Sequence, residues 1–137
     1  MKLLDTNVFV YAHGRPHPYR QPCRALIAQL ETESVDYNVD TELLQEILHL
    51  YSLRGDRAFG LNVFDDILTI FPYPFAVGRG EAVAARRLVE AYPRLSPRDA
   101  IHAAVVQTQD LDALVSTDKA FRDVAGLNVI DPANTTD

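Results

Sequence analysis

The chain has 137 residues, of which 47% are hydrophobic and 23% charged, and its formal net charge is −6. This composition is ordinary for one globular domain, and no apolar run approaches the roughly 20 residues that a membrane-spanning helix needs. The acidic balance argues against a protein that holds nucleic acid on a basic surface.

The basic residues are 11 Arg and 2 Lys. Since arginine grips phosphate through a planar bidentate fork, local phosphate contacts remain possible in an acidic chain. The single cysteine, Cys23, excludes a disulfide framework, and Asp5 is too early an acid for a secretory signal. We therefore expect a cytoplasmic protein.

Short apolar segments alternate with helical stripes along the chain. Strands are predicted at residues 2–4, 35–39, 69–71, 113–116 and 128–130. Helices are predicted at residues 8–12, 20–33, 41–51, 56–68, 81–92, 96–109 and 119–124. Thr6 or Asn7 can cap the first helix, Asp40 or Thr41 the third, and Ser96 with Pro97 the sixth. This order predicts an α/β domain over residues 1–132 with a parallel sheet covered on both faces, followed by a loose polar tail at 133–137.

Three carboxylates lie where such a fold places its crevice. Asp5 and Asp118 follow predicted strands, and Asp99 stands in the first turn of an alanine-rich helix. The carboxyl ends of parallel strands share one edge of a sheet, so these acids are expected to converge there. Clustered carboxylates repel one another, and a divalent cation is the usual partner that stabilises them. Each of the three could also serve only as a helix cap.

A fourth acid, Glu46, lies on the apolar side of its helix. Leu43, Ile47 and Leu50 form a stripe at helical spacing, and Glu46 is one turn from two of them. A charged group on that side needs a partner. Glu42 is the rival acid, although its place in the first helical turn is explained by the helix dipole.

His102 follows Asp99 by three residues and could share its helix face. The other histidines and Cys23 do not stand at zinc-like spacing, so a zinc site is not expected. We expect His102 in the core.

Five segments resemble PIN-domain nucleases in order along the chain. They are LDTNVFVYA at 4–12, QEIL at 45–48, SPRDAIHAA at 96–104, LVSTDKAF at 114–121 and VIDP at 129–132. The size of the chain is similar to that of the VapC toxins of toxin–antitoxin pairs. The resemblance implies a three-layer α/β/α PIN-like fold with about four or five short strands in its parallel sheet.

The same resemblance implies a ribonuclease that depends on Mg²⁺ or Mn²⁺, is inhibited by a cognate VapB-like antitoxin and forms homodimers. The four acidic positions fall on Asp5, Glu46, Asp99 and Asp118 as metal ligands and catalytic groups. Asn7 and Thr117 are implied as polar supports behind them.

Substrate RNA is expected to meet basic residues near the acids. Arg98 and Lys119 each adjoin one of the acids in sequence, and Arg15 lies in the loop after the first helix. Tyr11 could stack on a base. The helical hairpin at 41–68 carries surplus apolar residues that could receive an antitoxin helix or form a homodimer, namely Leu53, Leu61, Val63 and Phe64.

Two other classes remain open. One is a Mg²⁺-binding α/β phosphoacceptor, which also gathers acids at strand ends but normally has two acids early in the chain. Here Asn7 stands where an aspartate-nucleophile phosphatase would have its second acid. The other is a catalytically inactive interaction module whose acids are only caps.

Overall fold

The computed structural model describes residues 1–33 and 36–135. Within them, the strands β1 (Lys2–Leu4), β2 (Tyr37–Asn38), β3 (Ala113–Val115) and β4 (Val129–Ile130) form a parallel sheet in the order β2-β1-β3-β4. The helices are α1 (Thr6–His13), α2 (Arg20–Thr32), α3 (Thr41–Leu53), α4 (Arg57–Ile70), α5 (Arg79–Ala91) and α6 (Pro97–Thr108). Short 3₁₀ helices cover Lys119–Asp123 and Pro132–Asn134.

The sheet separates two hydrophobic cores. Leu4 of β1 and Val115 of β3 pack with helices α1 to α4 on one face. Their neighbours Leu3 and Leu114 point the other way and pack with α5 and α6. Successive strand residues face opposite sides of a sheet, so strands buried on both faces are apolar throughout. The predicted three-layer α/β/α architecture with a parallel sheet is confirmed.

Two local predictions were wrong. Residues 69–71 are not a strand, because α4 continues to Ile70, with Ile67 and Phe71 both buried at helical spacing. Asp5, rather than Thr6 or Asn7, caps α1 through its side chain. The tail at 133–137 stays a prediction, although Ala133 and Asn134 lie in the Pro132–Asn134 turn, which Asp131 caps.

The predicted strand at 35–39 is shorter in the structure, at Tyr37–Asn38. Ser34, Val35, Thr136 and Asp137 lie outside the described residues. No helix in the described ranges combines the length and the apolar character needed to cross a membrane.

The α4–α5 connection is hydrogen-bonded to the segment that leads into α3. The Phe75 N–H donates to the Val39 carbonyl and the Thr41 N–H donates to the Phe75 carbonyl, both at 2.9 Å. The Val77 N–H donates to the Thr41 hydroxyl at 3.1 Å. This strap, residues 75–77, runs parallel to residues 39–41 and ties the two halves of the chain together beside Asp40.

Candidate active site

Asp5 is buried at the carboxyl end of the central strand β1. The residue is only 3% exposed. One carboxylate oxygen, Oδ1, accepts from the Thr6 N–H at 2.7 Å, and Oδ2 accepts from the Ser116 hydroxyl at 2.7 Å. The Asp5 N–H donates to the Val115 carbonyl at 2.9 Å. The position of this carboxylate is thus fixed by β1, β3 and the start of α1 together.

Ser116 links three of the polar residues at this edge. Its hydroxyl oxygen accepts from the Asn7 side-chain amide at 3.2 Å and from the Asp118 N–H at 3.0 Å. Asp118 in turn caps the following 3₁₀ helix by accepting from the Ala120 N–H at 2.9 Å. The supporting role expected for Thr117 is filled by Ser116, which was not predicted. The position of Ser116, directly after β3, was the available signal.

Asp99 lies in the first turn of α6 and is close to Asp5 and Asp118. Its N–H donates to the Ser96 hydroxyl at 3.2 Å, which is the predicted cap. Burial raises the pKa of the Asp99 carboxyl to about 7, and the charges of Asp5 and Asp118 and a hydrogen bond with Asp118 act in the same direction. Clustered carboxylates repel one another, and a bound cation would relieve that repulsion.

Glu46 completes the group from α3, with its side chain 13% exposed. Its Oε1 lies 3.0 Å from Nε2 of His102. Burial raises the pKa of Glu46, but the hydrogen bond and charge of His102 outweigh burial, so the pKa lies below its usual value. Burial and the nearby charge of Glu46 raise the pKa of Glu42. Of the two rival acids, Glu46 is the one that contacts the cluster.

His102 is fully buried, as expected, but it is also part of the cluster. Its Nδ1 lies 2.7 Å from Oδ2 of Asp40, and its Nε2 lies 3.0 Å from Glu46 and 3.5 Å from Asp5. Both ring nitrogens face carboxylates, which only accept, so the geometry is that of a charged imidazolium. Burial lowers the pKa of His102, but the charge and hydrogen bond of Asp40 raise it well above the usual value.

Asp40 has two contacts, of which only the helix cap was expected from the sequence. Its Oδ1 accepts from the Leu43 N–H at 2.9 Å, the expected helix cap. Its Oδ2 is the fully buried partner of His102. No spacing rule links residues 40 and 102, so this ion pair had no signal in the sequence.

The three basic residues predicted to hold substrate are all exposed. Arg98 lies close enough to Glu46 and Glu42 for its charge to lower the pKa of both. Lys119 directly follows Asp118, and Arg15 lines an open cavity at the far end of α1.

The donors at this edge fit a hard divalent cation. They are carboxylate oxygens, joined by the buried Asn7 Oδ1, which has no hydrogen-bond partner in the described structure. Oxygen-only donors suit Mg²⁺ or Mn²⁺ rather than zinc. Within residues 1–33 and 36–135, no three His, Cys, Asp or Glu side chains already stand in ligand geometry. Binding an ion would therefore require these side chains to turn toward it.

Comparison with known proteins identifies the fold family. The family model of the PIN domain matches residues 2–127. The chain belongs to the PIN-domain family. Among curated relatives of this PIN domain, Ribonuclease VapC7 of Mycobacterium tuberculosis is 35% identical over 127 residues, which covers 91% of this chain and 87% of the relative. Ribonuclease VapC13 of the same organism is 31% identical over 127 residues, covering 93% and 97%. The recognition of a VapC-type PIN domain is confirmed.

Solved structures show the same PIN-domain fold. FitAcB from Neisseria gonorrhoeae matches with a TM-score of 0.75 and 20% identity, over 98% of this chain and 99% of that chain. VapBC2 from Rickettsia felis, bound to a DNA fragment from its promoter, matches with a TM-score of 0.71 and 16% identity, over 95% and 97%.

Proposed function

We propose that this PIN domain is an endoribonuclease, the toxin of a toxin–antitoxin pair, which hydrolyses RNA phosphodiester bonds. The observation that carries the proposal is the convergence of Asp5, Asp99, Asp118 and Glu46 at one edge of the sheet. The curated relatives named as VapC ribonucleases support the same reaction.

VapC-type PIN nucleases generally depend on a divalent metal, and we propose Mg²⁺ or Mn²⁺ here. Such an ion, when bound, lowers the pKa of a water molecule and neutralises charge that develops on the phosphate. Asp5 and Asp99 would hold it directly, while Asp118 and Glu46 would hold it through water or hold a second ion. Since Glu46 already bonds to His102 through Oε1, a contact through water suits it.

The remaining polar residues would place the RNA. Asn7 supports the acids because its side-chain amide donates to Ser116, and its Oδ1 has no hydrogen-bond partner in the described structure. Thr117 lies next to Asp118. Arg98 and Lys119 would contact phosphates beside the reacting bond, and Arg15 would contact phosphates further along. One carboxylate would orient the attacking water as a general base.

We propose a VapB-like antitoxin as the protein partner and a homodimer as the assembly. Two of the predicted contact residues, Leu53 and Leu61, are 73% and 57% exposed on the α3–α4 hairpin. Val63 is buried, so it belongs to the core rather than to this surface, and Phe64 packs against the core. A cytoplasmic site of action remains the expectation from composition.

The test compares wild type, Asp5→Asn and the control Asp66→Asn on RNA, with and without Mg²⁺ or Mn²⁺. Asparagine preserves the volume and the helix cap but removes a charge, so D5N should lower the cleavage rate by about 100-fold or more. Asp66 is exposed on α4, and D66N should cut as wild type does. The products should carry 5′-phosphates.

Cleavage that survives D5N or a chelator, or that yields a cyclic phosphate, would overturn the mechanism. Retained Mn²⁺ affinity without RNA cleavage would favour the phosphoacceptor or the inactive module.

A further inference from the structure

An open cavity of about 910 Å³ lies at the carboxyl end of α1, away from the acids. Its lining includes Tyr11, His13, Arg15, His17 and Arg54. Among the described residues that line it, none is acidic. In a chain of net charge −6, this is a locally basic pocket and therefore attracts anions.

Three aromatic rings are gathered beside the cavity. The ring centroids of Tyr11 and His17 lie 4.5 Å apart at 32°, and those of His17 and Tyr19 lie 5.9 Å apart at 15°. Both tyrosines pack against the hydrophobic core, whereas His17 is exposed. His17 is therefore the outermost ring of a rigid platform.

Both histidines of the cavity have one ring nitrogen fixed by the backbone. The Tyr19 N–H donates to Nδ1 of His17 at 3.1 Å, which places the proton of the neutral ring on Nε2. Nδ1 of His13 donates to the Phe9 carbonyl at 2.8 Å. Neither Nε2 has a hydrogen-bond partner within the described ranges. Each Nε2 can therefore bond to a ligand without breaking a hydrogen bond within the protein.

One face of α1 carries a residue of the acid cluster at one end and a residue of the cavity at the other. Asn7 and Tyr11 are one helical turn apart, so they lie on the same face. Asn7 bonds to Ser116 at the acids, while Tyr11 lines the cavity. The rise of an α-helix makes the distance from Asp5 to His13 about 12 Å. An RNA strand bound at the acids would reach the cavity within a few nucleotides.

We propose that this cavity is a subsite for an unpaired nucleotide of the RNA substrate, a few positions from the phosphate that is cleaved. The base of this nucleotide stacks on the exposed ring of His17, which packs on Tyr11, and Arg15 and Arg54 contact the adjoining phosphates. Aromatic platforms with arginines are how proteins hold single-stranded RNA. The subsite deepens the proposed ribonuclease function and rests on it.

Binding is measured by fluorescence at pH 8 with a single-stranded RNA that carries 2-aminopurine at successive positions. The full chain is used in a D5N background, which prevents cleavage. Each added substitution removes one kind of contact: His17→Ala removes the stacking ring and Arg15→Ala removes a charge. Arg87→Ala is the matched control, since Arg87 is exposed on α5, which contributes nothing to the lining of the cavity.

H17A should weaken RNA binding roughly 5- to 100-fold and abolish the quenching of 2-aminopurine at one position. It should leave the salt dependence unchanged, because stacking on a ring, unlike a phosphate contact, releases no counterions. R15A should lower the slope of log K against log salt by about 0.7, the value for one phosphate contact on a single strand. In the active enzyme, both should raise KM by a larger factor than they lower kcat. Thermal unfolding should change little, since both side chains are exposed and water can replace His17 as the acceptor for the Tyr19 N–H.

The subsite is overturned if H17A and R15A bind and cut RNA as R87A does, or if they weaken only antitoxin binding. RNA that is neither bound nor cut by the wild type would instead overturn the proposed function.

Discussion

His102 has a carboxylate on each side of its ring, Asp40 at Nδ1 and Glu46 at Nε2. A buried ion pair is weak evidence for stability, because desolvation of two charges offsets most of their attraction. Removal of one partner is a different matter, since it leaves the other charge buried without compensation. The contribution of His102 to stability is therefore best measured by substituting it.

His102→Ala should lower the free energy of unfolding by about 3–5 kcal/mol, because the carboxyl group of Asp40 is left buried without its partner. The double variant Asp40→Asn/His102→Ala should be more stable than H102A alone, since a buried amide is less costly than a buried carboxylate, and the introduced asparagine can still cap α3. Urea denaturation monitored by circular dichroism gives both values. A loss below about 1 kcal/mol in H102A, or no recovery in the double variant, would contradict this account.

For individual residues, the sequence predicts which side chains belong to the site but not which side chains they contact. Asp5 and Asp118 could be found because they follow apolar strands, and Glu46 because it lies on an apolar stripe. The bonds that organise the site join residues 62 and 111 positions apart, His102 to Asp40 and Ser116 to Asp5. Such pairs arise from the packing of elements, which no local spacing encodes.

Among the elements, the α3–α4 hairpin is held by a close contact at Gly60. A Cβ atom built on this buried glycine would lie 2.7 Å from Cβ of Tyr51 on α3. The two helices can approach so closely only because Gly60 has no side chain. Since α3 also carries Glu46, this contact helps to position one wall of the site.

Gly60→Ala should destabilise the protein by about 1–3 kcal/mol, because overpacking against Tyr51 exceeds the gain in helix propensity. Gly80→Ala is the control: Gly80 is in α5 and a Cβ there meets nothing within 4 Å. G80A should be neutral or stabilising by up to about 1 kcal/mol. Thermal unfolding of the pair measures the difference, and equal stability of G60A and G80A would show that α3 and α4 move apart at little cost.

Element prediction succeeded where capping residues mark the ends. Ser96 and Pro97 begin α6, and Gly55, with φ +74°, stands at the end of α3. It failed at 69–71, where Ile70 and Phe71 have the β-branched and aromatic character of a strand but continue a helical stripe. The strap at 75–77 was missed because its hydrogen bonds are with a distant segment.

On the scale of the whole molecule, the α3–α4 hairpin presents apolar side chains to solvent. Leu53 and Leu61 expose 73% and 57% of their surface, and Phe59 exposes 36%. Apolar groups grouped in this way mark surfaces that associate with other chains. The hairpin is thus the surface on which the proposed partner or second copy would pack.

Leu53→Ser combined with Leu61→Ser should weaken antitoxin binding or self-association by at least about tenfold, because two apolar contacts are lost. Tyr73→Ser is the control, since Tyr73 is 86% exposed in the α4–α5 connection. Light scattering measures self-association, and calorimetric titration measures binding of the antitoxin. A loss in Y73S with none in the leucine variant would place the interface elsewhere.

The strand order has a consequence for how the protein is made. β1 is synthesised first, yet it lies between β2 and β3, and Asp5 is fixed by Val115 and Ser116. A nascent chain that ends before residue 113 therefore has its first acid but neither the strand that positions it nor Asp118. Folding during synthesis can bury the early helices, but the acids cannot assemble until the ribosome has added this late segment. An interrupted translation product would thus lack the proposed ribonuclease site, which would be complete only near the end of synthesis.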